Sequence, residues 1–207
     1  MVNKVEIPRK SIYRLSLYAR ALLRLRENSV QTVSSRALSK AAGVKPTQLR
    51  KDLAYFGQFG TRGLGYNVEN LSVAITEVLG TNSFQPVILV GVGNLGSALL
   101  RYRGFNREGF DIRAAFDIDP DRERRIPEGI EILGFGRLGK YVEENDVKMC
   151  ILAVPVSQAQ SVANEVVKAG VQAILNFSPT VLEVPDDVVV NTVDLALELE
   201  NLSYFIR

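Results

Sequence analysis

Pro86-Val87-Ile88-Leu89-Val90-Gly91-Val92-Gly93-Asn94-Leu95-Gly96 decides the fold of the larger part of this chain. Residues 86–90 are a continuous apolar run, the pattern of a strand buried on both faces of a parallel sheet. The run leads directly into G-x-G-x-x-G and then a helical stretch through about Tyr102. The bare glycine pattern is cheap, but between a strand and a helix it has a mechanism. The glycines permit a tight turn, backbone approach to a pyrophosphate, and close packing of helix on strand. The helix N-terminus then faces the phosphates. The expected contacts are therefore Gly91, Val92, Gly93, Asn94, Leu95 and Gly96.

Downstream, Ile112 to Phe116 reads as a second strand ending at Asp117, 21 residues past Gly96. A ribose-binding acid is expected at that distance. Its charge would repel a 2′-phosphate, which favours NAD(H) over NADP(H) despite Arg122, Arg124 and Arg125. A second G-x-G-x-x-G, Gly134 to Gly139, is rejected. Its preceding run, Ile130 to Leu133, is interrupted by Glu131, and no acid ends a strand some 20 residues later. A loop entering a helix near Leu138 is expected instead. Beyond it, Met149–Val154, Gln172–Leu175 and Val188–Val190 read as strands, with a helix over Gln158–Ala169 and a loop at 176–179. This alternation predicts a doubly wound, mostly parallel Rossmann sheet.

Upstream, the composition changes. Residues 1–66 carry thirteen Lys/Arg against three Asp/Glu; residues 67–207 carry twelve against twenty. A basic third beside an acidic remainder implies two modules, and a polyanion such as nucleic acid is the first candidate for the basic one. Its periodicity predicts helices over residues 8–27, over a short stretch capped by Ser34 or Ser35 and closed by Gly43, and from Pro46 to about Phe56. That is the helix-turn-helix order. On the third helix, Leu49, Leu53 and Phe56 share the inward face, while Thr47, Arg50, Lys51 and Ala54 face outward, suited to a major groove. Gly57 to Tyr66 holds four glycines in ten residues and fits a hairpin, a wing with Arg62 at its tip aimed at a minor groove. A helix over Val68–Leu79, ended by Gly80, completes an N-terminal domain of residues 1–80. The dinucleotide domain is expected over 81–191.

The last stretch, Thr192 to Ile206, reads as a helix with Thr192 as cap. Its apolar residues cover more than half the wheel, so it should be buried on two sides. A second subunit supplies the second side, and dimers suit helix-turn-helix proteins that read two half-sites. Residues 192–207 are thus expected to be a dimerisation helix.

Of the 207 residues none is histidine, which removes imidazole-based acid–base catalysis and His-containing zinc sites. No tyrosine is followed four residues later by lysine. A small NAD-dependent dehydrogenase, the main alternative, lacks its proton donor and a substrate domain. A nucleotide- or CoA-binding interaction module is the second alternative. The single cysteine, Cys150, cannot form an internal disulfide and is expected as a packed thiol. No run reaches the ~18 apolar residues of a membrane helix. A cytoplasmic protein with no metal and no membrane partner is the expectation.

Arg50-Lys51-Asp52-Leu53-Ala54-Tyr55-Phe56-Gly57, Gly60-Thr61-Arg62-Gly63-Leu64-Gly65-Tyr66, the Gly91–Gly96 turn, Phe116-Asp117-Ile118-Asp119-Pro120 and Asn176-Phe177-Ser178-Pro179 resemble, in order, the redox-sensing transcriptional repressors of the Rex family. The resemblance implies a non-enzymatic homodimer with a winged helix, a Rossmann domain and an exchanged C-terminal helix. It implies binding to an AT-rich inverted-repeat operator, release by NADH, competition by NAD+, and derepression of genes of NADH reoxidation and fermentation. By position, Thr47, Gln48, Arg50, Lys51 and Arg62 would meet DNA. Gly91 to Gly96 would hold the pyrophosphate and Asp117 the ribose. Tyr102 and Phe177 would lie near the nicotinamide. Arg20, Tyr102 and Asp194 would couple cofactor state to domain arrangement.

Overall fold

The computed structural model describes residues 7–61, 63–121 and 126–206. The chain divides between Ser83 and Phe84 into two compact units.

The first unit holds α1 (Arg9–Glu27), β1 (Thr32–Val33), α2 (Ser35–Ala41), α3 (Pro46–Ala54), β2 (Gly60–Thr61), β3 (Gly65–Asn67) and α4 (Val68–Leu79). Ser34 caps α2, its side chain accepting from the Ala37 N–H at 3.1 Å. Pro46 opens α3, where a missing N–H costs nothing. Asn67 caps α4 through the Asn70 N–H, and Gly80 closes it in the left-handed conformation. Leu15, Tyr18, Leu22, Leu38, Leu49, Leu53, Leu71 and Ile75 form one core. Thus α2 and α3 are held as a helix-turn-helix against α1 and α4. β2 and β3 pair antiparallel as the expected hairpin. β1, which the sequence reading did not anticipate, pairs with β3 and makes a three-stranded sheet. Helix α3 ends at Ala54, two residues short of the expected Phe56.

The second unit holds β4 (Gln85–Val90), α5 (Asn94–Leu100), α6 (Gly104–Arg107), β5 (Phe110–Asp117), β6 (Glu131–Gly134), a 3-10 turn at Phe135–Arg137, α7 (Leu138–Glu144), β7 (Met149–Leu152), α8 (Val156–Lys168), β8 (Ala173–Asn176), β9 (Val189–Thr192) and α9 (Leu195–Tyr204). The strands form one sheet in the order β6-β5-β4-β7-β8-β9. Every pairing is parallel, with Leu89 of β4 in register with Ala115 and Ile151. This is the doubly wound order, and its switch point lies between β4 and β7. Alternation along the strands feeds two cores. Ile88, Val90, Ala114, Phe116, Cys150 and Leu152 pack with α7 and α8. Val87, Leu89, Ala115 and Ile151 pack with Leu100 at the end of α5.

Three expectations need correction. The run at Ile130–Leu133, set aside because Glu131 interrupts it, overlaps an edge strand, β6; exposed Glu131 is tolerated because an edge strand faces water on one side. The terminal helix begins at Leu195, not Thr192. Thr192 ends β9, and its hydroxyl accepts from the Asn176 amide at 3.3 Å. The cap is Asp194, whose carboxylate accepts from the N–H groups of Ala196 and Leu197. Finally, α9 is exposed in the single chain, Leu195, Leu199, Leu202, Phe205 and Ile206 each more than half so.

Candidate functional site

In the second unit the glycine turn sits at the C-terminal end of β4, at the sheet's switch point. Gly91 has φ +96°, a backbone that L side chains avoid, and a Cβ there would overlap the carbonyl of Ala153 at the end of β7. A Cβ at Gly96 would overlap the Gly91 carbonyl, so this glycine lets α5 close on the turn. A Cβ at Gly93 would meet nothing within 4 Å. The first and third glycines therefore serve packing, while the second faces an open cradle. That is the distribution a bound pyrophosphate requires.

Asp117 closes the same cradle. Its Oδ2 accepts from the Val92 N–H at 2.7 Å and its Oδ1 from the Asp119 N–H at 3.0 Å. The carboxylate is thus locked to the turn. Ile118 beside it is almost fully exposed. Across the switch point, the Asn176 amide donates to the carbonyls of Ser178 and Thr180 and to Thr192 Oγ1. Ser178 in turn donates its hydroxyl to the Val154 carbonyl at 2.6 Å. These bonds hold half-buried Phe177 at the end of β8, its N–H on the Leu152 carbonyl. The sequence reading gave a role to Phe177 but none to the buried Asn176 and Ser178 that hold it.

Tyr102 lies elsewhere. It follows the C-terminal end of α5, the end away from the glycine turn, with its ring edge-on to Phe105 at 5.1 Å. Asp194 caps α9. Arg20 is exposed on α1 of the first unit. Cys150 is buried in β7, where burial pushes its thiol pKa up, so it is a packed thiol. Among the described residues no group of three or more His, Cys, Asp or Glu is arranged to hold a metal, and no helix is long and apolar enough to cross a membrane.

In the first unit Thr47, Arg50 and Lys51 are exposed on α3. Arg50 donates to the Ser35 hydroxyl at 3.1 Å, so its guanidinium sits beside the start of α2 and the cleft toward the hairpin. Arg62 lies outside the described residues; its neighbours Thr61 and Gly63 bracket the hairpin turn. Gln48 is half-buried and turned toward Asp52. Asp52 itself is fully buried. Its Oδ2 accepts from Arg14 Nε at 2.5 Å and Tyr18 Oη at 2.7 Å; its Oδ1 accepts from Arg14 Nη2 at 2.7 Å and Gln48 Nε2 at 2.9 Å. Burial alone would raise the Asp52 pKa, but the Arg14, Tyr18 and Gln48 donors outweigh it and hold it at about 2. Burial and the same carboxylate push the Tyr18 phenol up. The sequence reading missed this cluster. Its signal was an acid on the flank of an apolar helix face, which needs a cation from another element.

A winged helix-turn-helix joined to a dinucleotide-type doubly wound domain defines a class, the ligand-responsive DNA-binding regulator. Family models place the chain accordingly. One described as "Putative DNA-binding protein N-terminus" matches residues 6–54, and one described as "CoA binding domain" matches residues 82–180. The chain is 48% identical to the redox-sensing transcriptional repressor Rex of Carboxydothermus hydrogenoformans, over 98% of this chain and 97% of that protein. It is 46% identical to the Rex repressor of Syntrophobacter fumaroxidans over 96% and 95%. The solved Rex-family repressor RSP, in complex with β-NAD+ and operator DNA, is 38% identical, covers 98% of this chain and 93% of its own, and superposes with a TM-score of 0.89. RSP in complex with β-NADH gives 36% identity, coverage of 97% and 94%, and a TM-score of 0.84. The chain belongs to the redox-sensing transcriptional repressor Rex family, whose named members are repressors and not enzymes.

Proposed function

We propose that this protein is an NADH-responsive repressor: a homodimer binds an inverted-repeat operator, and NADH releases it. The observation that carries the proposal is the open cradle at Gly93 with Asp117 locked beside it, in the same chain as a helix-turn-helix.

The turn residues Gly91 to Gly96 hold the pyrophosphate, and Asp117 accepts hydrogen bonds from the ribose hydroxyls. A carboxylate there disfavours a ribose that carries a phosphate, which argues against both NADP(H) and CoA. Phe177 supplies an apolar wall at the nicotinamide end. Tyr102 lies beyond the C-terminal end of α5, away from its own turn, so it serves the nicotinamide across a subunit interface.

Two unpartnered apolar surfaces support the dimer. One is α9. The other is a sheet face that runs from β5 across β4 and β7 to β9, where no helix intervenes between β8 and β9 and Phe110, Ile112, Val87, Ile151 and Leu175 line a groove. Residues 192–207 thus act as the dimerisation segment, with exchange of α9 between protomers.

On the DNA side, Thr47, Gln48, Arg50 and Lys51 meet the major groove and Arg62 the minor groove. Cofactor can alter DNA binding only through different affinities for two arrangements of the dimer. The neutral dihydronicotinamide of NADH enters an apolar interface at less desolvation cost than the cationic ring of NAD+. NADH therefore favours an arrangement that cannot span two half-sites, with Arg20, Tyr102 and Asp194 as coupling residues. The test is a mobility-shift titration on an inverted-repeat duplex. NADH should dissociate the complex and NAD+ should compete; dissociation by CoA, or no effect of either nucleotide, would overturn the reading.

A further inference from the structure

We propose that Asp52 is a positioning residue that aims Gln48 at an adenine of the operator half-site. The proposal rests on the assignment of α3 as the recognition helix.

The four donors around Asp52 saturate it, two on each oxygen. Three come from α1, where Arg14 and Tyr18 stand one turn apart on one face. Ser11, one turn before, accepts from Arg14 Nη2 at 3.2 Å and helps to hold the guanidinium. Asp52 is thus the fixed end of a clamp between α1 and α3. The fourth donor is Gln48, one turn before Asp52 on α3 itself. An ionised carboxylate only accepts, so the carboxamide of Gln48 must turn its nitrogen, not its oxygen, toward Asp52. The ambiguity that usually attends a glutamine flip is removed by chemistry.

One N–H of Gln48 is spent on Asp52. The second N–H and Oε1 remain, on a side chain at the border between the inward and outward faces of α3. That pair is one donor and one acceptor, and it matches adenine in the major groove, N7 accepting and the N6 amine donating. A free surface glutamine samples both flips and many rotamers before it can pair. Gln48 is held in one orientation before DNA arrives, so its base preference is preorganised. Arg50 and Lys51 supply charge and guanine or phosphate contacts; Gln48 supplies the adenine reading.

The experiment is selection of half-site-randomised duplexes by the full-length protein without NADH, for wild type, Gln48→Leu and Asp52→Asn, read as base preference at each position. Wild type should prefer adenine at one position by roughly 5- to 150-fold, the range of a bidentate contact. Gln48→Leu should lose that preference at that position alone. Asp52→Asn should relax the same position, because a neutral amide at 52 offers one accepting oxygen to four donors and turns an NH2 toward the others. Should Asp52→Asn fail to fold, side-chain amide relaxation of Gln48 in the DNA-free wild type decides the positioning role. A rigid, slowly exchanging amide supports it, and an order parameter typical of a free surface glutamine overturns it. Undiminished adenine preference in Gln48→Leu overturns the proposal alone. Absence of any duplex binding by wild type overturns the recognition-helix assignment beneath it.

Discussion

Gly91 and Gly93 are two residues apart in one turn, yet the structure predicts opposite consequences for the same substitution. At Gly91→Ala the new methyl is forced onto the Ala153 carbonyl, and the backbone must keep φ +96°. The left-handed backbone costs about 1–2 kcal/mol and the overpacking about 1–3 kcal/mol. Neither neighbour can retreat, because Ala153 donates its N–H to the Val90 carbonyl at 2.8 Å and Gly91 donates to the Phe116 carbonyl at 2.8 Å. The expected loss is about 2–5 kcal/mol, a large share of the 5–15 kcal/mol of a typical domain. At Gly93→Ala the backbone is already one that alanine adopts, with φ −75°, and the methyl meets no protein atom. Stability should change by less than about 1 kcal/mol. The methyl instead occupies the cradle through which a pyrophosphate approaches, and NADH affinity should fall at least tenfold. Calorimetric melting and NADH fluorescence titration of the two variants separate the effects. Wild-type NADH affinity in Gly93→Ala would refute the placement of the dinucleotide, and a wild-type melt of Gly91→Ala would refute the packing role of the first glycine.

Further outcomes follow from the same geometry. Wild type should bind NADH well ahead of NADPH by calorimetry, and Asp117→Ala should lose NADH affinity and narrow that gap; equal wild-type affinities would remove Asp117 from the ribose site. Lys51→Ala and Arg62→Ala should each weaken operator binding, with a phosphate contact seen as a smaller salt slope and a base contact as a loss of about 1–3 kcal/mol; unchanged affinity of Arg62→Ala at moderate salt would count against the wing. Asp52 is held at about 2 against an ordinary 3.8, so its stabilisation of the first unit is complete above the ordinary value and is lost as pH falls toward 2. That amounts to roughly 2 kcal/mol, to be checked by melts at pH 7 and pH 2.5 for wild type and Asp52→Asn, whose acid sensitivity should be smaller. Cys150 should resist alkylation at pH 8 in the folded protein and react fully in denaturant; rapid labelling of the native form would contradict its burial.

Much of this fold was legible because its local signals agree. Ser34, Gly80 and the Gly91–Gly96 turn each mark an element boundary by a named chemical device, and apolar runs 87–90 and 149–152 left the central strands little choice. What was not legible lacked periodicity or depended on distant partners. β1 is two residues long, too short to show alternation, and exists because β3 pairs with it. β6 hid behind Glu131, since edge position is a property of the sheet and not of the segment. Thr192 and Asp194 are both capping types, and the choice fell to Asp194 because Asn176, sixteen residues earlier, engages the Thr192 hydroxyl. The dinucleotide turn and Asp117 were readable from spacing. The Asp52 cluster was not, because it joins residues 34 to 38 positions apart across two helices. Tyr102 was readable only by resemblance, and within one chain it lies at the wrong end of α5 for its own turn.

Release of operator DNA by NADH requires that the site for one ligand sense the other, and binding linkage is reciprocal. The most direct test is NADH affinity, by fluorescence titration, with and without a saturating inverted-repeat operator duplex. NADH binding should be weaker in the presence of operator, by a factor of about 5–150 and equal to the factor by which NADH weakens operator binding. Equal NADH affinities with and without the duplex, or steady oxidation of NADH with a small carbonyl substrate, would contradict it.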